Sequence, residues 1–186
     1  MNEMLNQKRM TVDEFIRWVM AQPRGHYELL DGKVLMMSPE KLGHVRAKVS
    51  AHAALARAIE RAGVACEALG DGATIRIDQR TAYEPDAVVY CGPRLAADEV
   101  EVPNPVIVAE VISPRRSQID TGLKFQGYFS LPSVRHYLIV DAEKRVIVHH
   151  EREASGRIVS ATHSEGALVL DPPGIEVPVA EMLPVE

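Results

Sequence analysis

The sequence predicts an α/β (α+β) fold, a mixed central β-sheet flanked by helices, with an N-terminal helix and β-hairpin, and three observations lead there. Three segments carry apolar residues or capping signals at helical spacing, at about 11–22, 40–62 and 117–129. Between and after them lie short apolar runs bounded by Gly, Pro and Asp. One run, 106–112, is apolar at both odd and even positions, which calls for a central strand covered on both faces. With 186 residues, 46% of them hydrophobic, the chain suits one folding unit over 1–186, its core spanning about residues 10 to 180.

The elements follow in order. Thr11-Val12-Asp13-Glu14 has the form of a capping box, and Val12, Phe15, Ile16 and Val19 recur at helical spacing until Pro23 and Gly25. Two apolar runs then flank Asp31-Gly32, a pair that tolerates the positive φ angles of a tight type I′ turn, so a β-hairpin is expected. The longest helix covers 40–62, with Leu42, Val45, Val49, Ala53, Ala56 and Ile59 as its apolar stripe and Gly63 beyond its end. Strands are expected at 64–69, 74–78, 87–91 and 106–112. A helix at 117–129 follows, then strands at 136–140 and 145–150 joined by a turn at 141–144, and shorter ones at 157–162 and 167–170. Residues 171–186 hold four prolines and read as an irregular tail with a turn of helix after Val179.

The net charge of −5 excludes a global positive field for holding a polyanion, so any nucleic-acid contact must use a local basic patch. Cys66 and Cys91 lack metal-ligand spacing and lie in apolar stretches, which predicts buried, reduced thiols and a cytoplasmic protein. The first ten residues contain no apolar leader, and no run approaches the ~18 apolar residues of a membrane span, so neither export nor anchoring is expected.

Two carboxylates stand in odd settings. Glu110 falls inside the run apolar on both faces, where a charge costs several kcal/mol unless a cation or good hydrogen bonds meet it. Taken alone it could equally be a strand-end Glu paired with an Arg or reaching water. Asp86 follows Pro85 at the opening of the strand Ala-Val-Val-Tyr-Cys, and Pro-Asp by itself is common in turns. The order of elements ties them together: a Pro-Asp strand opening, a loop, a second strand with an inward Glu, and then a helix can place two carboxylates at neighbouring strand positions. Two such groups suit Mg²⁺, a hard cation that keeps several waters.

The succession Y-E-L-L-D-G, M-S-P-E with His44, E-P-D-A-V-V-Y, N-P-V-I-V-A-E-V-I-S-P, D-T-G-L-K-F-Q-G-Y and L-P-S-V-R-H-Y-L-I-V-D resembles a widespread bacterial family of restriction-endonuclease-like proteins, over nearly the whole chain. The resemblance implies a PD-(D/E)xK core with its active site at one end of the central strands. By position, Asp86 matches the Asp of that motif and Glu110 its second acidic residue, while Ile112 stands where the Lys is usual. Lys124, on the following helix, is the implied replacement, able to orient water or stabilise charge on a phosphate; the plain alternative is an Asp120 to Lys124 ion pair along the helix. Glu28 resembles the family's early acidic residue, a further metal or water ligand, against the alternative of an exposed hairpin Glu. His44 could contact a phosphate or tune the site, although a helix-surface histidine is the commoner outcome. Arg115 and Arg116 depart from the small polar residues expected there and could form a phosphate-binding patch or a solvated pair. His149-His150 would point to opposite faces of a strand, which argues against joint ligation.

The resemblance implies hydrolysis of DNA phosphodiester bonds with Mg²⁺ or Mn²⁺ held by Asp86, Glu110 and Glu28. The rivals are a catalytically silent relative acting as a binding or assembly module, and hydrolysis of another phosphoester at the same site. DNA is the implied partner, with no specificity code legible, and a homodimer accords with the general prevalence of symmetric oligomers.

Overall fold

The structure is a computed structural model that describes residues 9–23, 25–112 and 118–184. Helix α1, Val12–Met20, starts on a capping box: the Glu14 N–H donates to the Thr11 hydroxyl and the Thr11 N–H donates to the Glu14 carboxylate. Strands β1, Tyr27–Leu30, and β2, Lys33–Met36, pair antiparallel around Asp31 and Gly32, whose φ values of 47° and 76° are those of the type I′ turn expected from the sequence. Helix α2 runs from Leu42 to Ala62 and ends at Gly63, which takes up the left-handed conformation at φ 64° and donates its N–H to the Ile59 and Glu60 carbonyls.

The strands that follow are β3, Cys66–Gly70, β4, Ile75–Arg76, β5, Ala82–Tyr83, β6, Ala87–Cys91, and β7, Ile107–Val111. Helix α3, Gln118–Ser130, leads to β8, His136–Asp141, β9, Val146–Arg152, β10, Ile158–His163, β11, Ala167–Leu170, β12, Ile175–Pro178, and the short α4, Val179–Met182. Six strands form the central sheet in the order β10-β9-β8-β7-β6-β3. Its parallel pair is β7 with β8, joined through α3, because parallel neighbours need a crossover rather than a hairpin. A four-stranded sheet, β2-β1-β5-β4, carries α1 on its apolar face, where Val12 and Phe15 meet Leu29, Val34 and Ala82.

All five residues of β7 are buried, as a central strand with a layer on each face must be. On one face Ala109, Val111, Leu138 and Val140 pack against α2 and the β11–β12 hairpin; on the other Val108, Tyr137 and Ile139 pack beneath Tyr128 and Phe129 of α3.

Three expectations need correction, and one strand was not read from the sequence. The inward face of α2 is formed by Ala47, Ala51, Ala54, Leu55, Ala58 and Ile59, whereas Leu42 and Val49 are 70% and 61% exposed. Small Ala side chains let the helix lie close on the sheet, a packing reason that hydrophobicity alone does not register. Cys66 and Cys91 are joined in a disulfide, because the β3–β6 register sets them directly opposite each other; neither is buried, and the thiol argument for a cytoplasmic protein lapses. The tail read as irregular contains β12, which pairs with β11 over Leu170–Ile175 to Ala167–Pro178, its prolines standing in the turn and at the strand end where no ladder N–H is needed. The two-residue β5 was too short to leave a periodic signal. Among the described residues no helix is long and apolar enough to cross a membrane.

The corrected face of α2 is testable by urea unfolding. Ala54→Leu overpacks the helix against the sheet and is expected to cost about 1–3 kcal/mol, while Val49→Lys should fall within about 0.5 kcal/mol of the parent. The reverse ranking would restore the Leu42–Val45–Val49 stripe as the packed face.

Candidate active site

The β6–β7 ladder fixes the site. Ala87 lies opposite Ala109 in that antiparallel register, so the next residues outward, Asp86 and Glu110, lie side by side at one end of the central strands. Backbone pairing gives way to side-chain pairing there: the Val111 N–H donates to Asp86 Oδ2 at 2.6 Å. Pro85, just before, has no N–H to leave unsatisfied.

Glu110 points to the α3 side. Its Oε1 accepts from Lys124 Nζ and from the Tyr128 hydroxyl, both at 2.7 Å. Lys124 and Tyr128 are four residues apart on α3 and so share one helix face. The same ammonium donates to Glu28 Oε1 at 2.7 Å, and Glu28 also accepts the Glu84 N–H at 3.1 Å. The Tyr83 ring lies under Lys124, 5.5 Å from Nζ to its centroid, which favours the cation further. Glu28, Glu110 and Lys124 are 3%, 1% and 2% exposed, so their attraction is little screened, and Glu28 is not the exposed hairpin residue of the plainer reading. Burial, then the charges on Glu110 and Glu28, holds the Tyr128 hydroxyl well above its ordinary pKa, which keeps it a donor.

Asp86 is met from the other layer. Lys48 of α2 reaches its Oδ1 at 2.8 Å, and also contacts Glu40 at 2.6 Å and Asp71 at 3.0 Å. Burial disfavours the Lys48 ammonium, but the charge of Asp86 and hydrogen bonds to Asp86, Glu40 and Asp71 outweigh it and hold the group charged above its usual range. Burial pushes the Asp86 carboxyl up to about 6, reinforced by the negative charge of Glu110 and opposed by Lys48 and the Val111 N–H. His44 Nε2 lies 3.4 Å from Glu40, and Glu40, His44 and Asp86 each offer a donor atom within 4.8 Å of the others. Beside them His26 Nδ1 meets Glu84 at 2.5 Å, raising the His26 pKa, while burial raises that of Glu84 against the pull of His26. A groove of about 670 Å³ opens over Lys48, Asp71 and Asp86, with Met36, Val45 and Val49 along its wall.

Of the residues singled out in the sequence, Glu28, Glu110 and Lys124 therefore converge directly. Asp86 joins them through the β6–β7 ladder, and His44 stands on the Asp86 side. Arg115 and Arg116 lie outside the described residues, as does the Asp120 side chain. Lys48, Glu40, Asp71, Glu84, His26 and Tyr128 were not singled out. Lys48 left a signal, since it sits three residues before Ala51 and seven before Leu55 on the Ala-rich face; Tyr128 left another, at i+4 from Lys124.

Six carboxylates, Glu28, Glu40, Asp71, Glu84, Asp86 and Glu110, surround two lysines and two histidines. Among the described residues two triads here bring their ligand atoms within 4.8 Å of one another, Glu40–His44–Asp86 and His26–Asp71–Glu84, and their carboxylate oxygens suit a divalent cation. The fold is shared with a solved structure: that of a protein from Anabaena variabilis, described as a putative nuclease belonging to DUF820, superposes with a TM-score of 0.70 at 12% identity, covering 93% of this chain and 97% of that one. The chain belongs to the Uma2 family, described as "Putative restriction endonuclease", which it matches over residues 12–184. An uncharacterized protein of Synechocystis is 26% identical over 147 residues, 78% of this chain and 76% of that protein.

Two measurements test this electrostatic arrangement. Removing the shared cation in Lys124→Met leaves Glu28 and Glu110 buried together, with an expected loss of about 3–5 kcal/mol in unfolding free energy; a loss below about 1 kcal/mol would show that the pair is solvated. For Asp86, a folded pKa of about 6, above the ordinary carboxylate value of 3.8, means that the folded state holds the extra proton. Its contribution is present at low pH and is lost as pH rises from about 4 to about 6. The stability of Asp86→Asn relative to wild type, measured in chelator, should thus climb across that window; a flat difference would refute the raised pKa.

Proposed function

We propose that this protein is a metal-dependent endonuclease that hydrolyses DNA phosphodiester bonds, with Mg²⁺ or Mn²⁺ at the end of the β6–β7 pair. The observation that carries the reading is the buried excess of carboxylates around Asp86 and Glu110, each already met by one buried lysine from an opposite layer of the fold. The cation would be held by Asp86 and Glu110, with Glu28 on the Lys124 side and Glu40 and His44 on the Lys48 side. When bound, it supplies Lewis acidity and lowers the pKa of a bound water.

The chain's own groups account for the remainder. Lys124, held charged between two carboxylates and above the Tyr83 ring, presents an ammonium to the water or the phosphate oxygen and offsets negative charge as it develops. It thereby fills the role that Ile112 cannot. Tyr128 fixes the Glu110 carboxylate by a neutral donor, so that the acidic group keeps its direction whether or not Lys124 moves. The 670 Å³ groove gives a phosphodiester access to Asp86, and membership of a family described as restriction endonucleases supports DNA as the substrate. Two-strand cleavage by such a site would be served by a homodimer.

Plasmid nicking with Mg²⁺ or Mn²⁺ tests the reading. Asp86→Asn and Glu110→Gln are each expected to lower the rate at least about 100-fold, in line with the loss of one strong electrostatic contributor, with Lys124→Gln close behind. Cleavage that is indifferent to Asp86→Asn and Glu110→Gln would sink the assignment. A folded protein that neither cleaves DNA nor binds Mn²⁺ stoichiometrically would favour the silent binding module, which retains the Ile112 departure as its motive.

A further inference from the structure

A second cluster of ligand-type side chains lies on the other face of the central sheet, toward its opposite end. His136 opens β8 and pairs in register with Glu151 of β9; His149, two residues before Glu151, therefore lies on the same face. His136 Nδ1 and His149 Nε2 are 2.9 Å apart, and one donor atom from each of His136, His149 and Glu151 lies within 4.8 Å of the others. His136 Nε2 is 3.0 Å from the Pro172 carbonyl in the β11–β12 turn. That carbonyl can only accept, so it fixes the proton on Nε2 and leaves the Nδ1 lone pair aimed into the cluster, the tautomer a ligating imidazole needs.

A third histidine supplies an independent observation. His163, on β10, pairs in register with Ile147 and so faces the same way; its ring centroid is 6.1 Å from that of His149. Its Nε2 is buried with no hydrogen-bond partner, an unmet cost for a polar atom. Glu151 has no cationic partner among the described residues, although it is only half-buried. Burial lowers His136 to about 4 against the pull of the Pro172 carbonyl, and burial together with the neighbouring His136, His163 and His150 lowers His149 to about 4, so both rings are neutral near pH 7.

We propose that His136, His149 and Glu151 form a binding site for a borderline transition-metal cation of the Zn²⁺ class, with His163 or a water completing the shell. Two imidazoles and one carboxylate are a nitrogen-rich set that selects such ions, in contrast to the all-oxygen preference of Mg²⁺. The ion would tie strands β8 and β9 to the β11–β12 turn through the Pro172 carbonyl. His149-His150 is thus not a joint ligand pair: His150 turns to the other face, against Tyr137 and Phe125, and His149 finds its partners on neighbouring strands. The site is independent of the acidic one, and its failure would leave the nuclease reading untouched.

The experiment uses the full chain without an affinity tag, in excess Mg²⁺ to occupy the acidic site. Calorimetry with Zn²⁺ should show one tight equivalent, Co²⁺ should give the visible ligand-field absorption of a nitrogen-containing site, and Zn²⁺ should raise the melting temperature. Glu151→Gln, at a partly exposed position expected to fold normally, should weaken Co²⁺ at least about 10-fold, and His149→Ala should abolish the absorption, while Asp86→Asn leaves it unchanged. No stoichiometric Zn²⁺ in excess Mg²⁺, or Co²⁺ absorption that survives Glu151→Gln and disappears in Asp86→Asn, would overturn the proposal and leave His136 and His149 as a hydrogen-bonded core pair.

Discussion

The Lys124 ammonium lies 2.7 Å from carboxylates on two different sheets, Glu28 of the small sheet and Glu110 of the central one, and the position of α3 depends on that contact. Three charges taken out of water cost several kcal/mol each unless they satisfy one another. Here they do so together with the Tyr128 hydroxyl, the Glu84 N–H and the Tyr83 ring. A buried charge of this kind tolerates little displacement, so β1, β7 and α3 are held in one mutual arrangement. The same constraint explains why the small sheet leads where it does: β5 runs directly into Glu84-Pro85-Asp86, delivering a second acidic group to the end of β7.

Lys48 plays the matching part from the α2 layer. It spans Glu40, Asp71 and Asp86, so the end of the β6–β7 pair is braced from both sides of the sheet. The result is a preorganised acidic centre, in which carboxylates are held by protein cations that could yield them to a divalent ion. Asp86 shows how finely this is balanced: burial and Glu110 push its pKa to about 6 even with Lys48 at 2.8 Å. The balance has little to do with the net charge of −5, which describes the far field rather than the site.

Much of this was legible along the chain. The capping box at Thr11 and Glu14, the Asp31-Gly32 turn and the Gly63 helix end are local signals, and local backbone sterics suffice to impose them. The apolar run around Glu110 announced a strand covered on both faces and a carboxylate in need of a cation. Lys124 and Glu28 needed the family resemblance, since a Lys four residues after an Asp reads equally well as a helix ion pair. What misled was inference from hydrophobicity without packing. Leu42, Val45 and Val49 looked like a core stripe, but Ala residues line the close approach to the sheet; Cys66 and Cys91 looked like separate thiols until the β3–β6 register opposed them.

By itself, the sequence determined the kinds of element, most of their limits, and the two strand carboxylates around which a metal site could form, because periodicity, caps and turns are written in neighbouring residues. The tertiary structure alone decided which polar side chains meet: Lys124 with Glu28 and Glu110, Lys48 with Asp86, and His136 with His149 rather than His149 with His150. Those pairings join residues 13 to 96 positions apart, and only strand register and layer packing bring such positions within hydrogen-bond distance.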